Sequence, residues 1–291
     1  MVTIKALASA GFYRLPDGEW RLHSRFSQAI NFCRPDGELL TLFRYGKGMG
    51  PTGMLLSTTQ FSRVANIERL IKQGNILRGQ GIALGSRRTL RMSLDPAVLA
   101  PVDLSFCTQH SGLAGALNQP LNTMLHYPEI IEQLERWHRG VTPDWRWLIG
   151  YGPGLTPSGD DMLTGMLAVL YAAGLSAKLR YFLLPTEQLV PLTTSVSCSY
   201  LNSARVGEFS TPLQKVIRGL QFGRESAFCN QTPACCRALL GGGHIAGNRD
   251  SATVVTGGRL KGNACSIRKP IRTFIRVAQT GEFFPRGQLP A

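Results

Sequence analysis

Two adjacent carboxylates, two hydroxyls and four glycines crowd into one short stretch, Gly150-Tyr-Gly-Pro-Gly-Leu-Thr-Pro-Ser-Gly-Asp-Asp161. Its glycines and prolines suit neither a helix interior nor a strand, so it reads as a loop. The apolar run Met162 to Gly174 that follows is the pattern of a buried helix. A glycine-rich loop entering a helix offers free backbone N–H groups at the positive end of the helix dipole, which suits an anion. Asp160 and Asp161 at that same end argue against a bare phosphate. They favour a partner that is positive or rich in N–H donors: a cation such as Mg²⁺, the one metal these two acids could hold, or a ureido or carbamoyl group. The plainer alternative is capping. Thr156 could cap the helix with Pro157 at its first position, or Ser158 could cap it with Asp161 closing a Ser-x-x-Asp box. Capping explains one hydroxyl and one acid, and leaves the other acid, the other hydroxyl and the glycines without a role. We therefore expect Asp160 and Asp161 to be catalytic, with Gly152, Gly154, Thr156, Ser158 and Gly159 binding the substrate.

Two further constellations could contribute. Gly46-Lys-Gly-Met-Gly-Pro51 could cradle an anion through the backbone at Gly46, Gly48 and Gly50. It could equally be a tight turn that needs glycine only for its conformation. Thr193, Thr194 and Ser197, with Tyr200, fall at a spacing that sets hydroxyls along one helical face. Buried hydroxyls there must bond backbone carbonyls or line a polar pocket. Cys198 among them reads as a small buried residue, since a reactive thiolate needs electropositive surroundings. The five histidines (His23, His110, His126, His138, His244) lack zinc-site spacing. Neither a Gly-x-Ser-x-Gly elbow nor a phosphate-binding P-loop occurs, so no covalent intermediate is expected.

The elements that must position these groups divide at about residue 104. Residues 1 to about 20 read as irregular, with a turn at Pro16-Asp-Gly18. Trp20–Phe32 and Leu39–Tyr45 flank Arg34-Pro-Asp-Gly37, a hairpin signal. Met54–Ser57 is expected as a strand and Gln60–Gln73 as a helix, before strand-like segments at Ile82–Leu84 and Thr89–Leu94. Beyond Leu104 helices are expected over Leu113–Leu125, Pro128–Arg139, the central run, Thr193–Ala204 and Pro212–Leu220, with a short one entering at Trp145–Ile149. The expected fold is α+β: a β-rich N-terminal domain (1–104) packed on a largely helical domain (105–247) with a buried central helix, then a basic tail (248–291).

Composition bounds the rest. The chain has 291 residues, 43% of them hydrophobic and 17% charged, as in ordinary globular proteins. It carries no apolar run long enough to cross a bilayer and no secretory signal pattern, and its seven cysteines lack framework spacing. A reduced, cytoplasmic protein is expected. The net charge of +14 would suggest nucleic acid, but from Cys236 onward nine basic and two acidic residues supply +7 of it. The body is only mildly basic. Small anionic substrates suit it better than nucleic acid.

The stretch Gly152-Pro-Gly-Leu-Thr-Pro-Ser-Gly-Asp-Asp161 resembles the signature of a bacterial family long labelled a domain of unknown function, which includes the AllH-type subunit of oxamate carbamoyltransferase. Ala29-Ile-Asn-Phe32, Gly37–Leu42, the Gly46–Pro51 loop, Trp145-Arg146 and Thr193–Leu201 resemble family segments too, so the similarity runs from about residue 20 to 240. It implies a subunit of a multi-chain enzyme of anaerobic allantoin catabolism that converts oxalurate and phosphate to oxamate and carbamoyl phosphate. A non-catalytic binding or assembly subunit is the alternative. The family's Gly-His-Thr-Ser-Gly-x-Asp segment is matched only in part by Gly243-His-Ile-Ala-Gly247, where Ile245 and Ala246 replace the hydroxyls and Asp250 stands one position late. His244 is kept as a substrate-binding candidate. The residues after about Gly247 read as a diverged or frameshifted tail.

Overall fold

The computed structural model describes residues 1–97 and 121–221 and isolated positions between them (99, 110, 111, 113, 115, 116 and 119). Both expected halves are present. The N-terminal half is one curled nine-stranded sheet built from β1 (Val2–Lys5), β2 (Ala8–Ala10), β3 (Gly18–Arg25), β4 (Ala29–Cys33), β5 (Leu39–Arg44), β6 (Gly53–Leu56), β7 (Arg69–Gln73), β8 (Ile76–Gly79) and β9 (Ile82–Gly85). The strand order is β1-β9-β8-β7-β3-β4-β5-β6-β2. A bridge from Ser9 in β2 to Thr89 just beyond β9 brings the two edges together, so the sheet wraps around its own core. Trp20, Phe32, Leu40, Leu42, Met54, Leu70, Leu77 and Leu84 point into it, all fully buried.

The alternation of strand residues explains the wrapping. In β7 only Leu70 and Lys72 are buried, while Arg69, Ile71 and Gln73 face out. This period of two overrides the helix expected over Gln60–Gln73. That stretch is instead α1 (Thr58–Val64), closed by a capping box between Ser57 and Gln60, and then β7. The Arg34–Gly37 hairpin forms between β4 and β5, with Gly37 at positive φ. The N-terminal residues are not irregular. β1 pairs with β9 and β2 with β6, distant partners that no local pattern announces. Thr89–Leu94 makes isolated bridges instead of a strand.

The helical half comprises α2 (Tyr127–His138), α3 (Ser158–Ala172), α4 (Thr186–Leu189), α5 (Ser195–Arg205) and α6 (Thr211–Gln221). Among the described residues of Leu113–Leu125, none lies in the α-helix expected there. Two short strands, β10 (His110–Ser111) and β11 (Gly115–Ala116), and a 3₁₀ turn at Leu121–Thr123 stand there. Trp145–Ile149 makes a single helical turn, with the amides of Leu148 and Ile149 both bonded to the Trp145 carbonyl. α3 is buried from Met162 to Leu170, and α5 and α6 pack against it. Each fully buried leucine there contributes roughly 1.5–3 kcal/mol of transfer free energy. α3 is therefore the axis of this half, as its apolar sequence implies.

The halves meet through the Gly46–Pro51 loop. Met49 and Thr211 exchange hydrogen bonds at 2.9 Å, the Phe209 amide donates to the Met92 carbonyl at 2.8 Å, and Arg14 pairs with Glu208.

Candidate functional site

The 150–161 stretch is a loop held on its inner side by a buried carboxylate. Gly150, Gly152 and Gly154 all take positive φ. At Gly150 a side chain is also excluded sterically, since a Cβ would lie 2.1 Å from the Leu192 carbonyl oxygen. Neither expected cap forms. Pro157, extended at ψ 148°, occupies the N-cap position with no side-chain cap, and Ser158 is already helical. The reason is close packing: Gly159 presses against the Leu148 carbonyl, where a Cβ would stand 1.9 Å away, and its amide donates to the Tyr151 carbonyl at 2.9 Å. Backbone contact at Gly159 thus helps fix the first turn of α3.

Asp160 turns away from the helix N-terminus. Its Oδ1 accepts from the Gly150 amide at 2.9 Å, its Oδ2 accepts from the Thr193 hydroxyl, and Ser197 also bonds it. The residue is 2% exposed. Burial pushes its carboxyl above the usual carboxylate range, against the opposing pull of those three donors. Thr194 lies one residue ahead of α5 as its N-cap. It accepts from the Ser197 amide at 3.1 Å and donates to the Leu155 carbonyl at 2.5 Å. The Ser197 hydroxyl lies 3.3 Å from that same carbonyl. Thr193 and Thr194 thus precede the helix expected to carry them, yet their hydroxyls, with that of Ser197, converge on the loop. Cys198 is buried, and burial with the Asp160 charge holds its thiol up, as its reading as an inert residue requires.

Asp161 takes the other side. It is half-buried and its charge acts on the Tyr200 phenol, which burial and Asp161 together push up to about 12. Tyr200 in turn sits under the glycine loop: a Cβ on Gly50 would lie 2.6 Å from its Oη and 2.8 Å from Phe43 Cζ. Gly48 is held as closely against Pro212. Gly50 is therefore required for close approach of the two halves, whatever else the loop does. Gly46 and Lys47 are exposed. On the loop's outer side Gly152 and Gly154 are exposed and Thr156 is half-buried, its Oγ1 enclosed and without a hydrogen-bond partner.

Sequence reasoning missed His126. It caps α2 at φ +62°, and its imidazole stands edge-on to the Tyr151 ring at 5.4 Å and tilted to Trp147 at 5.2 Å. Nothing in its spacing signals this neighbour. It also left Leu155 without a role, although its carbonyl anchors two hydroxyls. Among the described residues no group of three His, Cys, Asp or Glu side chains could hold a metal. Both oxygens of Asp160 accept from protein donors, so a cation there would compete with Gly150 and Thr193. His244 and the basic tail lie outside the described residues. No helix among the described residues is long and apolar enough to cross a membrane.

The family described as oxamate carbamoyltransferase subunit AllH matches residues 148–256, which hold the whole loop, α3 and α5. The family described as the AllH family N-terminal domain matches residues 3–99, which hold the curled sheet and the Gly46–Pro51 loop. The first match runs past Gly247, where divergence was expected to begin. No solved structure matches the chain.

Proposed function

The chain belongs to the AllH family of oxamate carbamoyltransferase subunits, and from that premise we propose that its 150–161 loop binds the substrate of that enzyme. Transfer requires a phosphate oxygen to attack the carbamoyl carbon of oxalurate. The C–N bond to the oxamate nitrogen breaks, and a proton must reach that nitrogen as it leaves. A protein promotes this by holding the two reactants together, by donating to the oxygens that gain charge, and by accepting from the carbamoyl NH₂. The outer side of the loop offers the exposed backbone at Gly152 and Gly154. Asp161 offers a carboxylate to accept the carbamoyl N–H.

The observation that carries this reading is the division between the two aspartates. Asp160 is wholly engaged by Gly150, Thr193 and Ser197 and acts as a positioning residue. Asp161 is only half-buried, and its charge reaches the Tyr200 phenol, which itself stands against Gly50. We place the enzyme in the cytoplasm, with other subunits completing it.

The test is carbamoyl phosphate formation from oxalurate and phosphate by the enzyme reassembled from this chain and its partner subunits. Asp161→Asn is expected to lower kcat by about 10²-fold, the scale of one lost transition-state interaction, with the complex intact. Full turnover by that variant, or by the partners without this chain, would sink the reading and leave a regulatory or assembly subunit.

A further inference from the structure

The outer wall of the curled sheet is used unequally. Around β5, Phe43, Met49 and Met92 cluster on the side toward Tyr200 and the helical half. Around β3, β7 and β8, among the described residues, nothing covers it. There Arg21 of β3 stands directly opposite Arg69 of β7, and one row along, Ile71 of β7 stands opposite Arg78 of β8. Arg21 bonds Glu19 at 2.8 Å and Arg78 bonds only Gln73, at 2.7 Å. Among the described residues Arg69 has no ion-pair partner. Ile71 is 43% exposed and Ile76, on the same wall, 38%. These three arginines, with Glu19, Glu68 and Ile71, border a groove of about 780 Å³, where arginines outnumber carboxylates three to two.

Like charges directly opposite on neighbouring strands destabilise a sheet. A face that keeps such a pair beside exposed isoleucines has the composition of a protein interface, with arginine anchors and apolar contacts together. We infer that this wall docks an acidic surface of another subunit of the enzyme. The inference rests on the multi-chain reading given above.

Charge excludes the other occupants. A second copy set face to face would set three arginines and two glutamates against the same set, a net like charge. The chain's own residues beyond Cys236 carry nine basic and two acidic groups, so they repel this face also. Nucleic acid would answer the arginines but leave Ile71 and Ile76 unburied and Glu19 against phosphate.

The test is the affinity of the full chain for the purified partner subunits, measured between 50 and 300 mM NaCl. Arg21→Glu/Arg69→Glu/Arg78→Glu is expected to weaken binding at least tenfold and flatten its salt dependence, while the triple Arg→Lys variant keeps most of both. Urea unfolding of the free chain checks folding, and Arg69→Gln alone, expected to weaken binding less but measurably, serves should the triple reversal not fold. Equal affinity and salt slope in all variants, self-association of the chain through this face, or binding of duplex RNA through these arginines with assembly unchanged would each overturn the inference. A wild-type chain that binds no partner subunit overturns the multi-chain reading with it. A wild type that binds and variants that bind equally overturn this inference alone.

Discussion

Replacing Asp160 by asparagine and by alanine separates its charge from its hydrogen bonds. Alanine leaves the Gly150 amide and the Thr193 hydroxyl without their shared acceptor, and the Ser197 hydroxyl with the Leu155 carbonyl alone. An enclosed polar group stripped of its partner costs about 1–3 kcal/mol. Water reaches part of this site, and removing a buried charge returns some stability. A net loss of about 2–4 kcal/mol follows for Asp160→Ala, on the same principle. Asparagine keeps an acceptor for Gly150, and the two hydroxyls can rotate to accept from its NH₂. It also mimics the neutral acid, the form the fold favours, because burial raises this carboxyl. A folded state that holds its proton more tightly than the unfolded chain loses stability as pH rises. For Asp160 that loss begins near the ordinary value of 3.8 and is complete above the raised one. Asp160→Asn should therefore match or exceed the wild type at pH 7 and show a shallower loss of stability between pH 4 and neutrality. Urea unfolding followed by tryptophan fluorescence reads this, since Trp145 is buried five residues from Gly150. With a slope of about 2 kcal/mol per molar urea, alanine should move the midpoint by 1–2 M. If asparagine proves as damaging as alanine, the charge itself holds the loop and the desolvation argument is wrong.

Two other outcomes follow from close contacts. Gly159→Ala sets a methyl against the Leu148 carbonyl oxygen, a backbone atom that cannot swing aside, and should cost about 3 kcal/mol or more in urea unfolding; a change under 1 kcal/mol would show that the first turn of α3 is not pinned there. Tyr200 should stay protonated well past the other tyrosines, so ultraviolet titration should show one phenol ionising near pH 12, and Tyr200→Phe should remove that step alone.

The parts of this fold that were legible in the sequence are those fixed by neighbours in the chain. The α3 run is apolar on every side, and Pro128 opens α2. Arg34-Pro-Asp-Gly37 turns β4 into β5 because Pro fixes φ and Gly supplies a positive one. What was hidden depends on distant partners. β1 and β2 are strands only because β9 and β6 pair with them, and Arg69–Gln73 is a strand because β3 and β8 flank it. The candidate site divides the same way. Its residue types marked it out, but the roles of its two acids could not be separated, since both stand in the same short loop. Only the position of Gly150, Thr193 and Ser197 around one of them does that.

That arrangement also ties the loop to both halves of the chain. A loop with positive φ at three glycines has little to hold its shape, because glycine has more conformational freedom to lose than any other residue. Here the inner side is fixed by Asp160 and by the Leu155 carbonyl, both gripped by residues at the start of α5. α5 carries Tyr200 one turn further on, and Tyr200 meets Gly50 of the sheet half at a distance only glycine permits. Thr193, Thr194 and Ser197 therefore set the loop, while Tyr200 relates it to the Gly46–Pro51 loop. A change at Gly50 would press first on the Tyr200 phenol, whose ionisation Asp161 opposes.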